Sequence, residues 1–338
     1  QTSTTNVLDP AVGHFRADLY AVIDWINDNS NYATAAKVAN GIGAPSNTTV
    51  PVFLSGGGEG TSSQGNYLAA LNLLKQVRVN SIVVLTGDPN VHSDLIAHCD
   101  FMCGLGRSER DAFVGLLNGD LDDVPTKSEA KEQIVNLNSR HVRATAQAIE
   151  RFSTAGERTE FLPPFTACLA AGMQAGGPVG QPLTFKYTNA LSFRQDSSWN
   201  PIDDGEEMIQ AGLLFLENVE GVGRRWVRNV TTYLKSNNLA FIEGSVNQAV
   251  NFTTFTLRTA LETAVGRAGF AGTVNDIKAE ALNVLGLLVD AKIIVAHRAL
   301  SVVLNVDVAD VSVEIAPVLP INFVPTTVHL VTIQQRAA

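Results

Sequence analysis

The sequence predicts a two-part architecture, an α/β half followed by an α+β half. Three observations carry that expectation. Between residues 50 and 182, short apolar runs alternate with segments of helical periodicity, the pattern of a mostly parallel sheet with crossover helices. Near Gly176 to Pro182 the texture changes, and strand-like pieces give way to two long helical stretches. From Val302 to Ile315 an apolar residue falls at nearly every second position, the period of a half-buried strand. The expected division is therefore an N-terminal helix and connector (1–49), an α/β domain (50–182) and an α+β domain (183–338).

Ala11 to Asn27 carries Phe15, Leu19, Val22, Ile23 and Ile26 at helical spacing, and the polar run from Asn27 to Asn31 ends it. A polar loop from Gly41 to Thr49 leads to a short strand, Val50 to Leu54, and to the glycine-rich stretch Ser55 to Ser63. Asn66 to Gln76 reads as a helix, and Ser81 to Thr86 as the compact apolar strand of a buried parallel sheet. A helix from Val91 to Cys103, a strand at Ala112 to Leu117 and a helix from Ser128 to Asn138 follow, with Ser128 as the expected N-cap. A strand at Val142 to Ala148 and a helix from Pro163 to Ala175 close this half. Beyond it lie strand-like pieces at Leu183–Phe193, Leu213–Glu217 and Arg224–Thr232, then helices at Val246–Arg267 and Val274–Val289.

After Val302–Ile315, a spacer marked by Pro317, Pro320 and Pro325 precedes a second strand, Thr326 to Gln334, which contains neither Gly nor Pro. A strand at a chain end is either the edge of its own sheet or an arm for a neighbour's.

Hydrophobic residues make up 45% and charged residues 17% of the 338, which suits a well-packed chain rather than a disordered one. The low charged fraction points weakly to surface buried in assembly. With a net charge of −9 and no Lys/Arg run, the chain has no electrostatic footprint for direct nucleic-acid binding. The longest apolar stretch, Ala281 to Val295, is broken by Asn283, Asp290 and Lys292, so no membrane insertion is expected. No signal peptide is visible, and the start at Gln1 suggests a fragment or a processed product.

Candidate chemistry is sparse, and no cofactor is expected. Cys99 and Cys103, with His98 and His92 nearby, share a helical stretch, but the spacing is looser than zinc knuckles use and a second pair is missing. Strand, glycine loop and helix across Val52 to Leu73 have the layout of a phosphate cradle. They lack a Gly-Lys-Ser/Thr ending, and Glu59 would repel an anion. An α/β nucleotide- or anion-binding enzyme using the Gly56–Gly60 loop is the alternative reading. Asp88, His92 and Ser93 lie close in sequence without a strained nucleophile elbow. Asp203, Asp204, Glu206 and Glu207 fit a helix start, where acids offset the dipole. Asp120, Asp122 and Asp123 form an incomplete calcium-loop pattern. Arg224, Trp226 and Arg228 place an aromatic among cations, the composition of an interface anchor. The competing reading there is a core tryptophan with solvated arginines.

Four stretches together resemble the contractile tail sheath proteins of bacteriophages and related injection systems. They are Phe53-Leu-Ser-Gly-Gly-Gly-Glu-Gly; Ile82-Val-Val-Leu-Thr-Gly-Asp with the following helix; Leu162-Pro-Pro-Phe-Thr-Ala-Cys-Leu-Ala-Ala-Gly; and the block from Gly212 with Gly221-Val-Gly-Arg-Arg-Trp-Val-Arg. The resemblance runs from about Val50 to the C-terminus. It departs at Glu59-Gly60, where the family often has Asp-Gly, and at Arg228-Asn229, where it usually has Arg-Thr. It implies a non-enzymatic structural protein: a subtilisin-like α/β domain without a catalytic triad, then an α+β domain ending in a strand arm at 322–334. Asn322, Phe323, Val328, Leu330 and Ile333 would belong to that arm, exchanged between neighbouring subunits. Lys278 and Lys292 are candidates for a surface facing a tail tube. The implied partners are further sheath subunits, the tube protein, and baseplate and tail terminator proteins. The implied location is the virion tail, with assembly in the host cytoplasm.

Overall fold

The computed structural model describes residues 14–31, 34–36, 62–267, 269, 271–322 and 324. The chain divides into two compact units, Gln1–Ser62 and Ser63–Ala338. In the first, α1 spans His14–Asn29, and the Asn27 side chain closes the turn beyond it by bonding both the N–H (2.7 Å) and the carbonyl (2.9 Å) of Ala35.

The second unit opens with the expected alternation. Helix α2 (Gln64–Leu74), strand β1 (Ser81–Val83), helix α3 (Pro89–Cys103), strand β2 (Asp111–Gly115), helix α4 (Lys127–Leu137) and strand β3 (Val142–Thr145) build a parallel sheet in the order β1-β2-β3. Asp88 caps α3 by accepting from the Asn90 N–H at 2.9 Å, with Pro89 in the first turn, where its missing N–H costs nothing. Helix α4 begins earlier than expected. Its cap is Thr126 rather than Ser128, because Glu129 three residues on completes a reciprocal capping box with Thr126.

The strand expected over Val142–Ala148 is two strands in two sheets. β3 stops at Thr145, and β4 (Ala148–Phe152) starts an antiparallel sheet with β5 (Arg158–Phe161) and β6 (Ser192–Arg194), ordered β5-β4-β6. At the junction the Gln147 side-chain amide acts as a substitute peptide. It donates to the Leu216 carbonyl at 3.0 Å and accepts from the Leu216 N–H at 2.6 Å.

Helix α5 (Pro163–Ala175) covers one face of the parallel sheet. Helix α6 (Gly205–Gln210) and the antiparallel pair β7 (Leu216–Val219) and β8 (Gly223–Trp226) follow, then the short α7 (Leu239–Ile242). Helices α8 (Gly244–Leu261) and α9 (Ala271–Asp290) precede a hairpin of β9 (Ile294–Asn305) and β10 (Val308–Pro317).

The period of two in β2 sorts its side chains between two cores. Ala112 and Val114, with Leu116 just beyond the strand, join Leu95, Ile134 and Phe215 on one side, whereas Phe113 joins Ala167, Ala170 and Trp226 on the other. A sheet buried on both faces accounts for its apolar strands. Packing is continuous across residues 182 and 183: Trp199, Met208 and Leu213 sit in the first core, Leu183 and Leu214 in the second. A third core, Ala249, Val284, Leu285, Leu288, Ile293 and Ile294, joins α8, α9 and the root of the hairpin.

Candidate assembly surface

The alternation from Val302 to Ile315 belongs to a hairpin rather than to one strand. β9 begins at Ile294, the chain reverses at Val306 and Asp307, and β10 returns with Val308 opposite Asn305. On β10, Val311, Val313 and Ile315 are half-buried and Asp310, Ser312 and Glu314 exposed, so one face rests on the third core. A register shift places Val313 opposite both Ala299 and Leu300, with Ala299 at φ +53°, the form of a bulge normally built with glycine. Such a bulge twists and bends a ribbon. Val295, Val303, Val306 and Val308 all present apolar surface outward, Val306 at the tip almost completely (98%).

Among the described residues no third strand pairs with this hairpin. Among the described residues its two outer edges, on strands of 12 and 10 residues, therefore carry backbone N–H and C=O groups that no other strand pairs. A two-stranded ribbon of this length is marginal alone, and here α8 and α9 support only one face. The arrangement can accept a further strand at either edge. The strand Thr326–Gln334, with Phe323, Val328, Leu330 and Ile333, lies outside the described residues, as does the Gly56–Gly60 loop.

The arginine–tryptophan cluster separates. Trp226 is fully enclosed in the second core, and its indole N–H donates to the Met173 sulfur at 3.3 Å. This corrects its expected place at an interface: β8 alternates, and residue 226 falls on the inward face. Its neighbour Arg225 pairs with Glu217 at 2.6 Å and lies over the Phe185 ring, 3.9 Å from its centroid. Arg224 is half-buried. Arg228 reaches Glu243 at 3.3 Å, and Glu243 in turn accepts from the Asn322 side chain at 3.1 Å. Two of the predicted residues, Arg228 and Asn322, are thus brought together through a glutamate that sequence reasoning did not single out.

Lys278 and Lys292 are both exposed, and neither forms an ion pair with a described residue. Lys292 also has a structural task. It sits at φ +58° two residues beyond the end of α9, where its N–H bonds the Val289 carbonyl (2.9 Å) and the Ile293 N–H bonds that of Leu288 (3.0 Å). This is a Schellman ending, with Ile293 packed on Leu288 in the third core.

The candidate chemical groups are occupied structurally. Asp88 caps α3, the ring Nε2 of His92 lies 2.9 Å from the Thr86 carbonyl, and the Ser93 hydroxyl donates to the Pro89 carbonyl. Asp204 and Glu207 pair with Lys127, and Glu207 also with Lys131, tying α6 to α4. Asp123 pairs with Arg194 at 2.6 Å. Cys103 lies 3.6 Å from Nδ1 of His141, whose Nε2 faces Asp100 at 4.0 Å, an order reminiscent of a nucleophilic triad. The chemistry is the reverse of one. Burial pushes the Cys103 thiol up to about 12. Burial, reinforced by Arg140 and Arg143, pulls His141 down to about 4. Both groups stay neutral, and a neutral thiol is a poor nucleophile.

A buried polar seat holds α8 against the parallel sheet. Asp111 accepts from Arg143 (3.3 Å), Asn247 (2.6 Å) and Asn251 (2.8 Å), and Arg143 also donates to the Gly244 carbonyl. Gly244 is required there, since a Cβ would collide with the Arg143 guanidinium and the Asn229 amide. The signal was present in the sequence as charges at the edge of or inside apolar strands, in Arg110-Asp-Ala-Phe-Val and Val142-Arg-Ala-Thr. A charge in an otherwise apolar strand needs a buried partner.

No family model matches the chain. The sequence is 29% identical over 282 residues to the tail sheath protein of Bacillus phage SP01, an alignment covering 82% of this chain and 48% of that protein. The chain thus spans about half the length of this curated relative. A chain of the anti-feeding prophage baseplate superposes with a TM-score of 0.61 at 14% identity, covering 81% of this chain and 75% of that one. The anti-feeding prophage helical sheath in its contracted state gives 0.59 at 14% identity, covering 80% and 76%. The sheath tail protein of Desulfitobacterium hafniense gives 0.56 at 14% identity, covering 75% and 56%. At such identities the superpositions show the fold. This mixed helix-and-sheet chain has the fold of sheath proteins, and its sequence is similar to that of a phage tail sheath protein.

Proposed function

We propose that this chain is a structural, non-enzymatic subunit of a contractile tail sheath, assembling helically around a tail tube. The observation that carries the reading is the likeness to a contracted helical sheath over 80% of the chain. The sequence likeness to a tail sheath protein over 82% of it points the same way. The anion-binding enzyme on the Gly56–Gly60 loop finds no support among these likenesses.

In this reading the α/β region has the subtilisin-like layout of the family without its catalytic groups. The division into 1–49, 50–182 and 183–338 is, in this reading, one of chain order, since the last two segments share two cores. The segment 322–334 is an arm, and the open edges of β9–β10 are its receptor on a neighbouring subunit. Strand addition suits the task, because backbone hydrogen bonds hold two subunits together while their globular parts slide. A contact between different patches of identical subunits does not close on itself and generates a helix. The further partners are the tube protein, approached by Lys278 and Lys292, and the baseplate and tail terminator proteins. Arg224 and Arg228 remain candidates for contacts between subunits. The subunits would be made and assembled in the host cytoplasm and end in the virion tail. Contraction then draws on a metastable lattice and not on a bound nucleotide.

Negative-stain electron microscopy of the purified chain over a range of salt and protein concentration tests this. Striated tubes or stacked rings are expected, and they should disappear on removal of residues 325–338 with the thermal unfolding midpoint unchanged. Uniform small particles under every condition would overturn the proposal for this chain, and tubes that survive the truncation would overturn the arm.

A further inference from the structure

Beyond β10 the chain leaves the hairpin with exposed apolar residues on either side of Asn322: Ile321 is 84% and Val324 78% exposed. Asn322 itself is half-buried, and both ends of its amide are engaged. Its Nδ2 donates to Oε2 of Glu243 at 3.1 Å, and its Oδ1 accepts from the Thr184 hydroxyl at 3.3 Å. The partners lie 79 and 138 residues away in sequence, in the turn between α7 and α8 and in the segment after α5.

Both partners are themselves held. The Thr184 oxygen accepts from the Asn229 N–H at 3.2 Å. Glu243 is 1% exposed, and its Oε2 also accepts from Nε (3.4 Å) and Nη2 (3.3 Å) of Arg228. Its other oxygen is enclosed without a hydrogen bond among the described residues. A buried carboxylate so sparsely supplied with donors gains from each one it has. The Glu243 backbone is fixed as well, at the N-terminus of α8, where negative charge is favoured.

We infer that Asn322 is a clamp that fixes the point and direction in which the C-terminal segment leaves the body, with Thr184 and Glu243 as its jaws. The inference rests on the sheath reading only for its purpose. A tether launched from a fixed point samples a smaller volume, which raises its effective concentration at a receptor lying in the favoured direction. Asn322 is thereby a positioning residue at the root of the arm and not one of its pairing residues. The Asn322 amide offers the donor to the carboxylate and the acceptor to the hydroxyl together, and alanine offers neither.

Hydrogen exchange on the unassembled protein, isolated by size exclusion, tests the clamp without requiring assembly. In Asn322→Ala, backbone amides in peptides covering residues 318–324 should exchange about tenfold faster, as expected for loss of a hydrogen bond to a charged group. Peptides from α3 and β2 should not change. Thr184→Ala removes the opposite jaw and should act in the same direction, while Thr184→Ser should restore slow exchange. Unchanged exchange in both alanine variants would overturn the clamp, even if the wild type forms tubes. Absence of tubes in the wild type would overturn the sheath reading and leave the exchange result to decide the clamp. Where tubes form, Asn322→Ala should raise the critical concentration for assembly, and an unchanged value would overturn the assembly role.

Discussion

Gly115 on β2 lies against Pro164 at the start of α5 with no room for a side chain. A Cβ at residue 115 would fall inside the contact radii of the Pro163 carbonyl group and the Pro164 nitrogen, all of it backbone. This close approach lets α5 bury Ala167 and Ala170 directly on the sheet. Gly115→Ala should cost about 3 kcal/mol, at the upper end for overpacking, because backbone cannot rotate away. A urea titration measures it, and a loss below about 1 kcal/mol would mean that α5 can shift outward freely.

The buried histidines predict an acid-sensitive fold. Burial pulls His98 down to about 4, with Arg110 and Lys75 adding to it, and burial pulls His141 to a similar value. The geometry agrees, since His98 Nε2 lies 3.1 Å from Nη1 of Arg110 and Arg140 donates to Nε2 of His141 at 3.1 Å. These nitrogens act as acceptors and must be unprotonated. Between pH 6.5 and about 4 the unfolded chain therefore binds protons that the folded chain refuses, and stability falls as pH falls. Each histidine contributes a slope of at most about 1.4 kcal/mol per pH unit. Asp111 and Glu243, raised by burial, work in the opposite sense, so the difference between proteins is the cleaner readout. His141→Gln should flatten the dependence of the urea midpoint over this window. A parallel curve would mean that the imidazole titrates normally.

Much of the α/β half was legible because its signals are local. Apolar runs at Ser81 and Ala112 and the Pro163-Pro164 start of α5 announced elements that do not depend on distant partners. The misread junctions turn on side chains with long-range or reciprocal roles. Gln147 ends β3 by bonding Leu216, 69 positions away, which no periodicity reveals. The β9–β10 turn was hidden because Val306 at φ +58° replaces the glycine or asparagine that usually marks a hairpin. Trp226 and its arginines illustrate a further limit. Composition showed an aromatic among cations, but only strand register decides that the indole points inward and Arg225 outward. The polar seat at Asp111 spans three elements, and its partners on α8 could not be paired from one sequence.

Two residues with positive φ identify positions where glycine should stabilise. Lys292 ends α9 at φ +58° and Ala299 forms the hairpin bulge at φ +53°. A residue with a Cβ costs roughly 1 kcal/mol in this region relative to glycine. Lys292→Gly and Ala299→Gly should therefore each raise stability by about 1 kcal/mol, read as an upward shift of the thermal midpoint. Lys278→Gly, inside α9, should instead lower it by a similar amount. The comparison also separates the helix-ending role of Lys292 from the proposed tube contact: a more stable subunit with weakened tube binding would place its ammonium group at the tube. If Lys292→Gly is destabilising, the Schellman ending of α9 is incorrect.

The Asp111–Arg143 pair makes the sharpest energetic prediction. Both side chains are almost wholly enclosed, and they join β2, β3 and α8 at one point. Nε and Nη1 of Arg143 have no hydrogen-bond partner among the described residues, so the carboxylate is the main compensation for its charge. Asp111→Asn keeps the shape and still accepts from Asn247 or Asn251, but it strands the guanidinium. It should cost about 4 kcal/mol. Arg143→Met leaves the carboxylate with its two amide donors, and burial already favours its protonated form, so the cost should be smaller, about 2 kcal/mol. The double variant removes both charges and should cost clearly less than the sum, by about 2 kcal/mol. Urea titrations of the four proteins close the cycle. Losses that add to within about 0.5 kcal/mol would show that the two charges do not sense each other, and would assign the anchoring of α8 to the asparagines alone.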